Sequence, residues 1–374
     1  MAIAPLRLAV AGAWGYIGRK VVDAGVALGL EVWAFDPGPV PDDIDRRRVQ
    51  IVDDEDAFYR LPARLFHLAL HPQHRASAFA KLLARADANE LTVLCEKPMA
   101  APDAPEECAR IIAACAQSPA LVLYDFVELY DPLTHRIVEY LRGFDRLEVT
   151  RIVLQRSKDR EDPARQRNYK SMVHIQYQES VHCLAFLLNL MGRLAGSVAE
   201  ALAPGIRVCA SSRTYAPPNP EAYPYVVDGQ CTWDIDCGPL AVHGCTDFTR
   251  GAEFTKRKVI CGVGDGQPFE LVADHFEGRK HLKINGVDQH YPATACSYRS
   301  ILTTLSEWAS GHGRESLREG VFPHPEFARL TYQLSSVLWR SCFTATPVQL
   351  ASAAALTAYE AGFAAAASQF PRYN

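Results

Sequence analysis

The segment from Leu6 to Gly29 constrains the fold more than any other part of this chain. An apolar, strand-like run leads into glycines at positions 12, 15 and 18, and an amphipathic helical pattern follows at once. Such a turn lets the backbone approach a pyrophosphate, whose charge then faces the N–H groups at the start of the helix. This succession of strand, glycine turn and helix therefore predicts a dinucleotide-binding site. A tight strand-to-helix turn with no ligand is the alternative.

The spacing of the glycines differs from the usual G-x-G-x-x-G. Ala13 occupies the first glycine position if Gly15 and Gly18 are the second and third, and Gly12 can compensate in the pattern G-x-x-G-x-x-G. Trp14, inside the turn, either covers part of the cofactor or shields the loop. The residues predicted to hold the cofactor at this turn are Gly12, Ala13, Trp14, Gly15, Tyr16, Ile17 and Gly18.

Asp36 makes the nature of the dinucleotide more specific. It ends the next strand-like run, EVWAFD, eighteen positions past Gly18, where an acidic side chain can accept hydrogen bonds from both ribose hydroxyls. A carboxylate at this place repels a 2'-phosphate, so NAD is the predicted cofactor and NADP is not excluded. The alternative is an aspartate that only begins the Asp-Pro-Gly-Pro turn.

The first part of the chain alternates strand-like runs with helical patterns, which is typical of a parallel sheet with crossover helices. The predicted strands are Leu6 to Ala11, Glu31 to Phe35, Val49 to Val52, Leu65 to Leu70, Thr92 to Cys95 and Leu121 to Tyr124. An α/β protein results, whose N-terminal Rossmann domain covers residues 1–125. The prior of roughly 100–200 residues per domain places a second domain at 126–374.

The second part has a different character. Gln230 to Cys237 alternates strictly between apolar and polar residues, and Asn285-Gly286 is a strong hairpin signal between later strand-like runs. An α+β domain with a largely antiparallel open sheet is predicted. Helices are expected at Ser180 to Met191, Tyr298 to Ala309 and Phe327 to Phe343, and a further helix in the alanine-rich tail from Ala351 to Ser368.

Composition excludes several classes of protein. The formal net charge is -4 and no long block of Lys and Arg is present, so nucleic acid is not an expected partner. Apolar stretches fall short of the roughly 20 residues that a spanning helix needs, and the start lacks a basic leading region, so no membrane partner is expected and the predicted location is cytoplasmic. The 11 cysteines form no C-x-x-C pair, which favours free thiols.

The run Cys95-Glu96-Lys97-Pro98 follows the fifth predicted strand, and His71-Pro72-Gln73-His74 follows the fourth. Together they resemble the Gfo/Idh/MocA family of sugar and cyclitol oxidoreductases, over most of the chain. The resemblance implies that Lys97 contacts both the cofactor and the reacting hydroxyl. It also adds His71, Pro72, His74 and Glu96 to the residues near the cofactor. The alternative is a surface lysine before a turn proline.

The second signature of that family is a helix start of the form D-x-G-x-H, which matches Gln178-Glu179-Ser180-Val181-His182. The resemblance assigns acid/base work to His182. Gln178 replaces the family's aspartate and Ser180 its glycine, and Leu129 stands where an arginine is common. An amide can fix a hydroxyl but cannot take its proton. Glu179 either flanks His182 or is a first-turn charge favoured by the helix dipole.

A metal is not predicted. His174, Gln178 and His182 share one helical face if the helix extends back that far, but no acidic or cysteine partner accompanies them in the sequence. A separate basic group, Arg156, Lys158 and Arg160, either binds a charged substituent or forms a solvated loop, and the second reading is favoured.

The predicted function is hydride transfer between a nicotinamide and a secondary alcohol or ketone of a sugar, cyclitol or related polyol. Catalysis is assigned to Lys97, His182 and Gln178. One alternative is a catalytically impaired NAD(P)-binding regulator or scaffold, suggested by the replaced aspartate and arginine. Another is a reductase of a sugar nucleotide, or of a ketone or imine of secondary metabolism. The resemblance further implies a homodimer or homotetramer.

Overall fold

A computed structural model describes residues 7–159, 174–215, 227–249, 251–276, 279–289, 297–311 and 322–370. The chain divides into two compact units. The first is drawn from residues 1–131 and 295–329, and the second from residues 132–294 and 330–374. The first unit therefore includes chain from late in the sequence as well as the N-terminal segment.

The helices and strands alternate along the first unit and then separate into runs of strands and runs of helices. The strands are β1 (Arg7–Ala11), β2 (Glu31–Phe35), β3 (Val49–Ile51), β4 (Leu65–Leu68), β5 (Thr92–Glu96), β6 (Leu121–Asp125), β7 (Leu147–Ser157), β8 (Ile206–Tyr215), β9 (Val227–Cys237), β10 (Leu240–Asp247), β11 (Thr255–Gly264), β12 (Gln267–Phe276), β13 (Arg279–Ile284), β14 (Val287–Gln289) and β15 (Val348–Leu350). The helices are α1 (Tyr16–Ala27), α2 (Glu55–Tyr59), α3 (Pro72–Leu83), α4 (Glu106–Ala116), α5 (Pro132–Arg142), α6 (Val181–Ala195), α7 (Val198–Ala201), α8 (Ser297–Gly311), α9 (Pro325–Thr344), α10 (Ala353–Thr357) and α11 (Phe363–Ala366).

The sheet of the first unit confirms the predicted Rossmann arrangement. Its six strands pair in parallel in the order β3-β2-β1-β4-β5-β6. β4, β5 and β6 are buried along their whole length, as expected for a parallel sheet covered on both faces. The strand order reverses between β1 and β4, and ligands of such sheets bind outside the carboxyl ends of the strands at that point.

The second unit confirms the predicted open, largely antiparallel sheet. Nine strands lie in the order β14-β13-β12-β11-β7-β10-β9-β8-β15, and β7 and β10 are its parallel pair. Along β9, Trp233 and Ile235 are buried whereas Asp234 and Asp236 are exposed, so the predicted alternation is also confirmed. Asn285 and Gly286 both have positive φ, the requirement of the tight hairpin turn that joins β13 to β14.

The alanine-rich tail corrects one expectation. The predicted helix from Ala351 to Ser368 is instead two short helices, α10 and α11. Gly362, in the left-handed conformation, precedes α11 and interrupts the run. The ring of Phe363 then packs 4.6 Å from that of Trp339. Helix propensity is a weak prior, and the packing of the aromatic rings overrides it here.

Elsewhere the predicted strand bounds differ from those of the structure by at most three residues, apart from Leu6, which lies outside the described residues. In the part of the chain that the structure describes, no helix combines the length and the hydropathy needed to cross a membrane.

Candidate active site

The glycine turn after β1 is fixed by close backbone contacts. Gly12 has a φ of +71°, and a Cβ there would lie 2.6 Å from the carbonyl oxygen of Ala69. A Cβ on Gly18 would lie 2.0 Å from the carbonyl oxygen of Gly12. Gly15 differs, because its Cβ would meet only the Gly12 oxygen, at 3.3 Å, and because it is exposed. The fold therefore requires Gly12 and Gly18, whereas a Cβ on the exposed Gly15 would make a single, tight contact with the chain.

Gly15 is also the residue that precedes α1. It makes no side-chain cap, and the first turn of α1 carries no acidic residue. The N–H groups at the start of a helix carry a partial positive charge and favour an anion. The backbone geometry of the glycine turn and the N-terminus of α1 are therefore both suited to binding the pyrophosphate of a dinucleotide.

Asp36 follows β2 and ties the two turns together. Its Oδ2 accepts a hydrogen bond from the N–H of Trp14 at 3.1 Å, and its Oδ1 accepts one from the N–H of Gly38 at 2.8 Å. The side chain of Asp36 therefore stabilises the turn after β2. This agrees with the alternative in which the aspartate begins the Asp-Pro-Gly-Pro turn. Asp36 is also half-buried, and each carboxylate oxygen can accept a second hydrogen bond, so it remains a possible acceptor for a ribose.

The loop after β4 lies beside the glycine turn at the point where the strand order reverses. His71 precedes α3 and Pro72 is its first residue, a position that suits the fixed φ of proline. His71 and His74 are both exposed. Their side chains are therefore accessible at the carboxyl edge of the first sheet.

Lys97 follows β5 and is half-buried. The Lys97–Pro98 peptide bond is cis. The carbonyl oxygens of both residues accept hydrogen bonds from the guanidinium of Arg75, which also donates to the carbonyl oxygen of Leu70 at 3.0 Å. Arg75 thereby links the loop after β4 to the loop that carries Lys97.

Sequence reasoning missed Arg75. It lies on α3 and is 2% exposed, and the same face of the helix buries Ala78, Phe79 and Leu82. An arginine on an otherwise apolar helical face is the signal that could have identified it, because a buried charge needs partners.

A buried polar cluster lies at the ends of β4, β5 and β6, and it too was missed. In the strand register Glu96 is directly beside Asp125, and His67 is beside Leu94, two residues before Glu96. His67, Glu96 and Asp125 therefore share one face of the sheet. His67 Nε2 lies 3.4 Å from Asp125 Oδ2 and 3.9 Å from Glu96 Oε1.

Burial controls how this cluster ionises. Burial raises the pKa of Glu96 to about 8, and the neighbouring Asp125 adds to the rise. Burial likewise raises the pKa of Asp125, to about 6. It lowers the pKa of His67 to about 4. Desolvation disfavours the charged form in all three cases, so the imidazole is neutral at neutral pH.

In the second unit, a single π-helical turn, Gln176–Ser180, leads directly into α6. Turns of this kind are frequent at functional sites. Three buried pairs tie the turn to the sheet: Gln176 to Asp228 at 2.8 Å, Glu179 to Arg156 at 2.9 Å, and Ser180 to Thr246 at 2.7 Å. Gln178 is the half-buried residue of the turn, and His182 follows it in the first turn of α6 with 6% of its surface exposed.

Arg156 corrects the expectation of a solvated basic loop. It lies within β7, is 7% exposed, and pairs with the equally buried Glu179. Lys158 is half-buried, and its ammonium lies 5.0 Å from the centre of the Phe248 ring. Arg160 lies outside the described residues. The sequence could not reveal the long-range partner that makes burial of Arg156 tolerable.

His174 does not share an α-helical face with Gln178 and His182, because the π turn changes the spacing between them. Its Nδ1 accepts a hydrogen bond from the N–H of Asp228 at 3.2 Å. This histidine is therefore held by β9.

The structure places the predicted catalytic residues in both units. Lys97 belongs to the first, and Gln178 and His182 belong to the second. The predicted cofactor residues all belong to the first unit, at the carboxyl edge of its sheet: the glycine turn, Asp36, the segment His71–His74 at the start of α3, Glu96 and Lys97.

A parallel six-stranded Rossmann sheet with a glycine turn and a second, mostly antiparallel sheet together make up the two-domain fold of Gfo/Idh/MocA-type oxidoreductases. No protein-family model and no curated protein sequence matches the chain.

Several solved structures share this fold. A myo-inositol dehydrogenase from Corynebacterium glutamicum matches 92% of this chain and 99% of its own, with 17% identity and a TM-score of 0.64. UDP-N-acetylglucosamine 3-dehydrogenase from Acidithiobacillus ferrooxidans matches 91% of this chain and 98% of its own, with 14% identity and a TM-score of 0.62. A super-repressor mutant of Gal80p from Saccharomyces cerevisiae matches 96% of this chain and 100% of its own, with 12% identity and a TM-score of 0.67. At these identities the similarity is one of fold.

Proposed function

We propose that the protein is a NAD-preferring oxidoreductase that transfers a hydride between the nicotinamide and a secondary alcohol or ketone carbon of a sugar, cyclitol or related polyol. The observation that carries the proposal is the arrangement at the edge of the first sheet. The glycine turn, Asp36 and Lys97 all follow the carboxyl ends of strands in one parallel sheet. A cofactor bound there supplies the hydride chemistry, and the chain binds and orients the reactants.

The residues of the turn fit the cofactor by their own geometry. Gly15 is exposed and presents no side chain to a ligand, and the uncapped start of α1 attracts the pyrophosphate. Asp36 accepts from the ribose hydroxyls and repels a 2'-phosphate, which favours NAD over NADP. His71, Pro72 and His74 border the place where the strand order reverses.

Lys97 is the residue proposed to hold the reacting oxygen, because an ammonium can orient an alcohol or polarise a carbonyl. His182 is proposed to exchange the proton of that oxygen, since imidazole changes its charge near neutral pH. Gln178 is proposed to fix a neighbouring hydroxyl through its amide, which can donate and accept hydrogen bonds but cannot take up the proton.

The test is a panel of polyols and sugar nucleotides, each assayed with NAD and with NADP through the absorbance of the reduced nicotinamide. Lys97→Ala should abolish turnover and leave the binding of NADH largely intact, whereas Lys81→Ala, on the surface of α3, should leave both unchanged. Wild-type turnover in Lys97→Ala would refute the proposed role. Failure of the wild type to bind either dinucleotide would refute the proposed class.

Two further candidates are separated by the same panel. A regulator or scaffold that binds the dinucleotide without catalysis is favoured by Gln178, which cannot act as a base, and by the occurrence of this fold in a super-repressor. It predicts tight NADH binding and no turnover. A reductase of a sugar nucleotide, a ketone or an imine is favoured by the UDP-N-acetylglucosamine 3-dehydrogenase of the same fold, and it predicts turnover confined to those substrates.

We also propose that the protein is a homodimer or homotetramer in solution. The exposed face of the second sheet carries cross-strand pairs, Asp234 with His243 and Arg207 with Asp236, that give it a polar character. Light scattering coupled to size exclusion would measure the mass, and a monomer at micromolar concentration would contradict this proposal.

A further inference from the structure

Two cysteines of the second unit lie in contact although 111 positions separate them in the chain. Cys231 is on β9 and is fully buried, whereas Cys342 is in the last turn of α9 and is half-buried. Their sulfur atoms are 3.8 Å apart, the distance of two thiols in van der Waals contact. Both cysteines are free thiols in this structure. The proposed reaction gives the pair no part.

Contacts on either side of Cys342 hold this end of α9 against the second sheet. The Oγ of Ser341 accepts a hydrogen bond from the backbone N–H of Ala210 on β8 at 2.9 Å. The strand that follows the helix, β15, pairs with the beginning of β8. In the strand register Cys231 is directly beside Ser212, two residues along β8 from Ala210. The approach of the two sulfur atoms is therefore fixed by the packing of α9 on β8 and β9.

The distance between the two sulfur atoms is short enough for a disulfide to form in the folded protein. A disulfide bond is about 2.05 Å long, so the atoms would have to approach each other by roughly 1.8 Å. Rotation of the two side chains about their Cα–Cβ bonds moves the sulfur atoms by distances of this order. The resulting bond would join β9 to α9.

The buried amide of Gln176 distinguishes the two thiols. Its Nε2 donates one hydrogen bond to Asp228 Oδ2 at 2.8 Å and another to the sulfur of Cys342 at 3.5 Å. Asp228 fixes the orientation of the amide, because only the amide nitrogen can donate to a carboxylate. A donor at the Cys342 sulfur favours the thiolate of that residue.

The pKa values of the two thiols differ accordingly. The Cys231 thiol and the Gln176 amide hold the pKa of Cys342 below its ordinary value, although burial and the Asp228 carboxylate act against them. The hydrogen bond with Cys342 and burial hold the pKa of Cys231 well above its ordinary value. The thiolate is the reactive form of cysteine. Cys342, which is also the more accessible of the two, is therefore the thiol that reacts first.

We propose that Cys342 and Cys231 form a reversible disulfide when the protein meets a hydroperoxide such as hydrogen peroxide. The Cys342 thiolate attacks one peroxide oxygen, the O–O bond breaks, and the hydroxide that leaves takes up a proton and becomes water. Cys231 then loses its proton and attacks the sulfenic acid of Cys342, whose S–O bond breaks and releases the second water. Two thiols are oxidised, and one hydrogen peroxide is reduced to two molecules of water.

The disulfide also acts on the π turn that carries Gln178. Gln176 is the first residue of this turn, and the sulfur of Cys342 is one of the two groups to which its Nε2 donates. The sulfur has to move toward Cys231 to form the bond, and in a disulfide it is a weaker acceptor than a thiolate. Gln176 then retains only its hydrogen bond to Asp228. The turn is therefore held less firmly in the oxidised protein.

The experiment compares the wild type with Cys231→Ser, Cys342→Ser and a control, Cys209→Ser, which replaces an exposed thiol on β8. Each reduced protein is treated with near-stoichiometric hydrogen peroxide, the remaining thiols are alkylated, and the peptides are identified by mass spectrometry without reduction. The wild type and Cys209→Ser should yield a peptide pair that joins Cys231 to Cys342, and dithiothreitol should separate it.

Three results would overturn the inference. The first is that Cys231 and Cys342 both remain reduced, and the second is that Cys342 is oxidised to a sulfonic acid without forming a disulfide. The third is a disulfide between Cys342 and some other cysteine. The measurement on the wild type depends on no variant, and thermal unfolding of the reduced variants shows whether each of them is folded.

Dimedone, which reacts with sulfenic acids, tests the order of the two steps. In Cys231→Ser the sulfenic acid of Cys342 has no thiol to resolve it. Cys342 should therefore be labelled at least about tenfold more in this variant than Cys231 is labelled in Cys342→Ser. Equal labelling of the two residues would refute the assignment of Cys342 as the thiol that reacts first.

Hydrogen exchange measures the effect on the π turn. The backbone amides of residues 176–182 should exchange at least about twofold faster in the oxidised wild type than in the reduced wild type. Peroxide-treated Cys342→Ser should exchange like its untreated form. Unchanged exchange in the oxidised wild type would refute the link between the disulfide and the turn. None of these measurements uses a substrate or a dinucleotide, so failure of the inference is distinct from failure of the proposed function.

Discussion

The two units hold their parts of the proposed site by opposite means. In the first unit, backbone contacts fix the turns: Gly12 and Gly18 pack against carbonyl oxygens, and Arg75 binds the carbonyl oxygens of two loops. In the second, pairs of buried side chains such as Arg156 and Glu179 fix the π turn that carries Gln178. The glycine spacing of the turn is visible in the sequence, whereas the partner of a buried side chain lies on an element far away in the sequence. The second kind of site should be the more easily broken by single substitutions.

The largest effect is expected at the buried ion pair of the second unit. Glu179→Ala removes the carboxylate that pairs with the buried Arg156 and should lower the free energy of unfolding by about 3–5 kcal/mol. The double variant Arg156→Met with Glu179→Leu should recover most of that loss, because it removes both charges. Urea denaturation measures both. The exposed pair of Asp56 with Lys81 is the control, and Asp56→Ala should lower the stability far less, because water screens this pair.

Two alanine substitutions test whether backbone contacts fix the glycine turn. Gly18→Ala places a Cβ against the Gly12 carbonyl and should destabilise the fold by about 1–3 kcal/mol. Gly15→Ala should change stability by less than about 1 kcal/mol and yet weaken NADH binding at least about tenfold, since the methyl group faces the proposed pyrophosphate. Thermal unfolding and NADH fluorescence titration provide the two readouts. Unchanged NADH affinity in Gly15→Ala would contradict the assignment of the phosphate site.

The stability of the first unit also depends on the ionisation of buried side chains, above all that of Glu96 beside Asp125. The pKa of Glu96 rises from 4.5 to about 8 on folding, so the folded state holds the extra proton. Its stabilisation is complete below pH 4.5 and is lost as the pH rises toward 8. His67, with its pKa lowered from 6.5 to about 4, has the opposite effect as the pH falls through that range.

Glu96→Gln should therefore flatten the decline in stability between pH 6.5 and 8, a decline of at most about 2 kcal/mol for one proton. Urea denaturation at the two pH values measures it. The exposed Glu90→Gln should retain the slope of the wild type. An unchanged slope in Glu96→Gln would mean that Glu96 is not protonated in the folded state.

The smallest effect is expected at Asp36. Asp36→Asn keeps one acceptor oxygen for the N–H groups of Trp14 and Gly38, so stability should fall by about 1 kcal/mol. Loss of the carboxylate charge should move the ratio of NADPH to NADH affinity toward NADPH by roughly tenfold. Fluorescence titration with both dinucleotides measures the ratio. A ratio equal to that of the wild type would leave Asp36 with only its part in the turn.

The contrast between features set by neighbouring residues and features set by distant partners also explains which parts of the fold and of the candidate site the sequence could predict. Periodicity and glycine spacing predicted the parallel sheet, the alternation along β9 and the hairpin at Asn285-Gly286, because each depends on residues close in the chain. Arg75 and the cluster of His67 and Asp125 were missed, because their partners come from other elements. Arg156 was predicted to be solvated for the same reason: its partner Glu179 is 23 positions away.

Arg75 has a consequence for how this protein can change. It contacts carbonyl oxygens, which every residue type provides, and not the side chains of Leu70, Lys97 and Pro98. Side chains in the two loops can therefore be exchanged while the contact is kept, but an inserted or deleted residue would move a carbonyl out of reach. Redesign of this edge should alter residue identity at constant loop length.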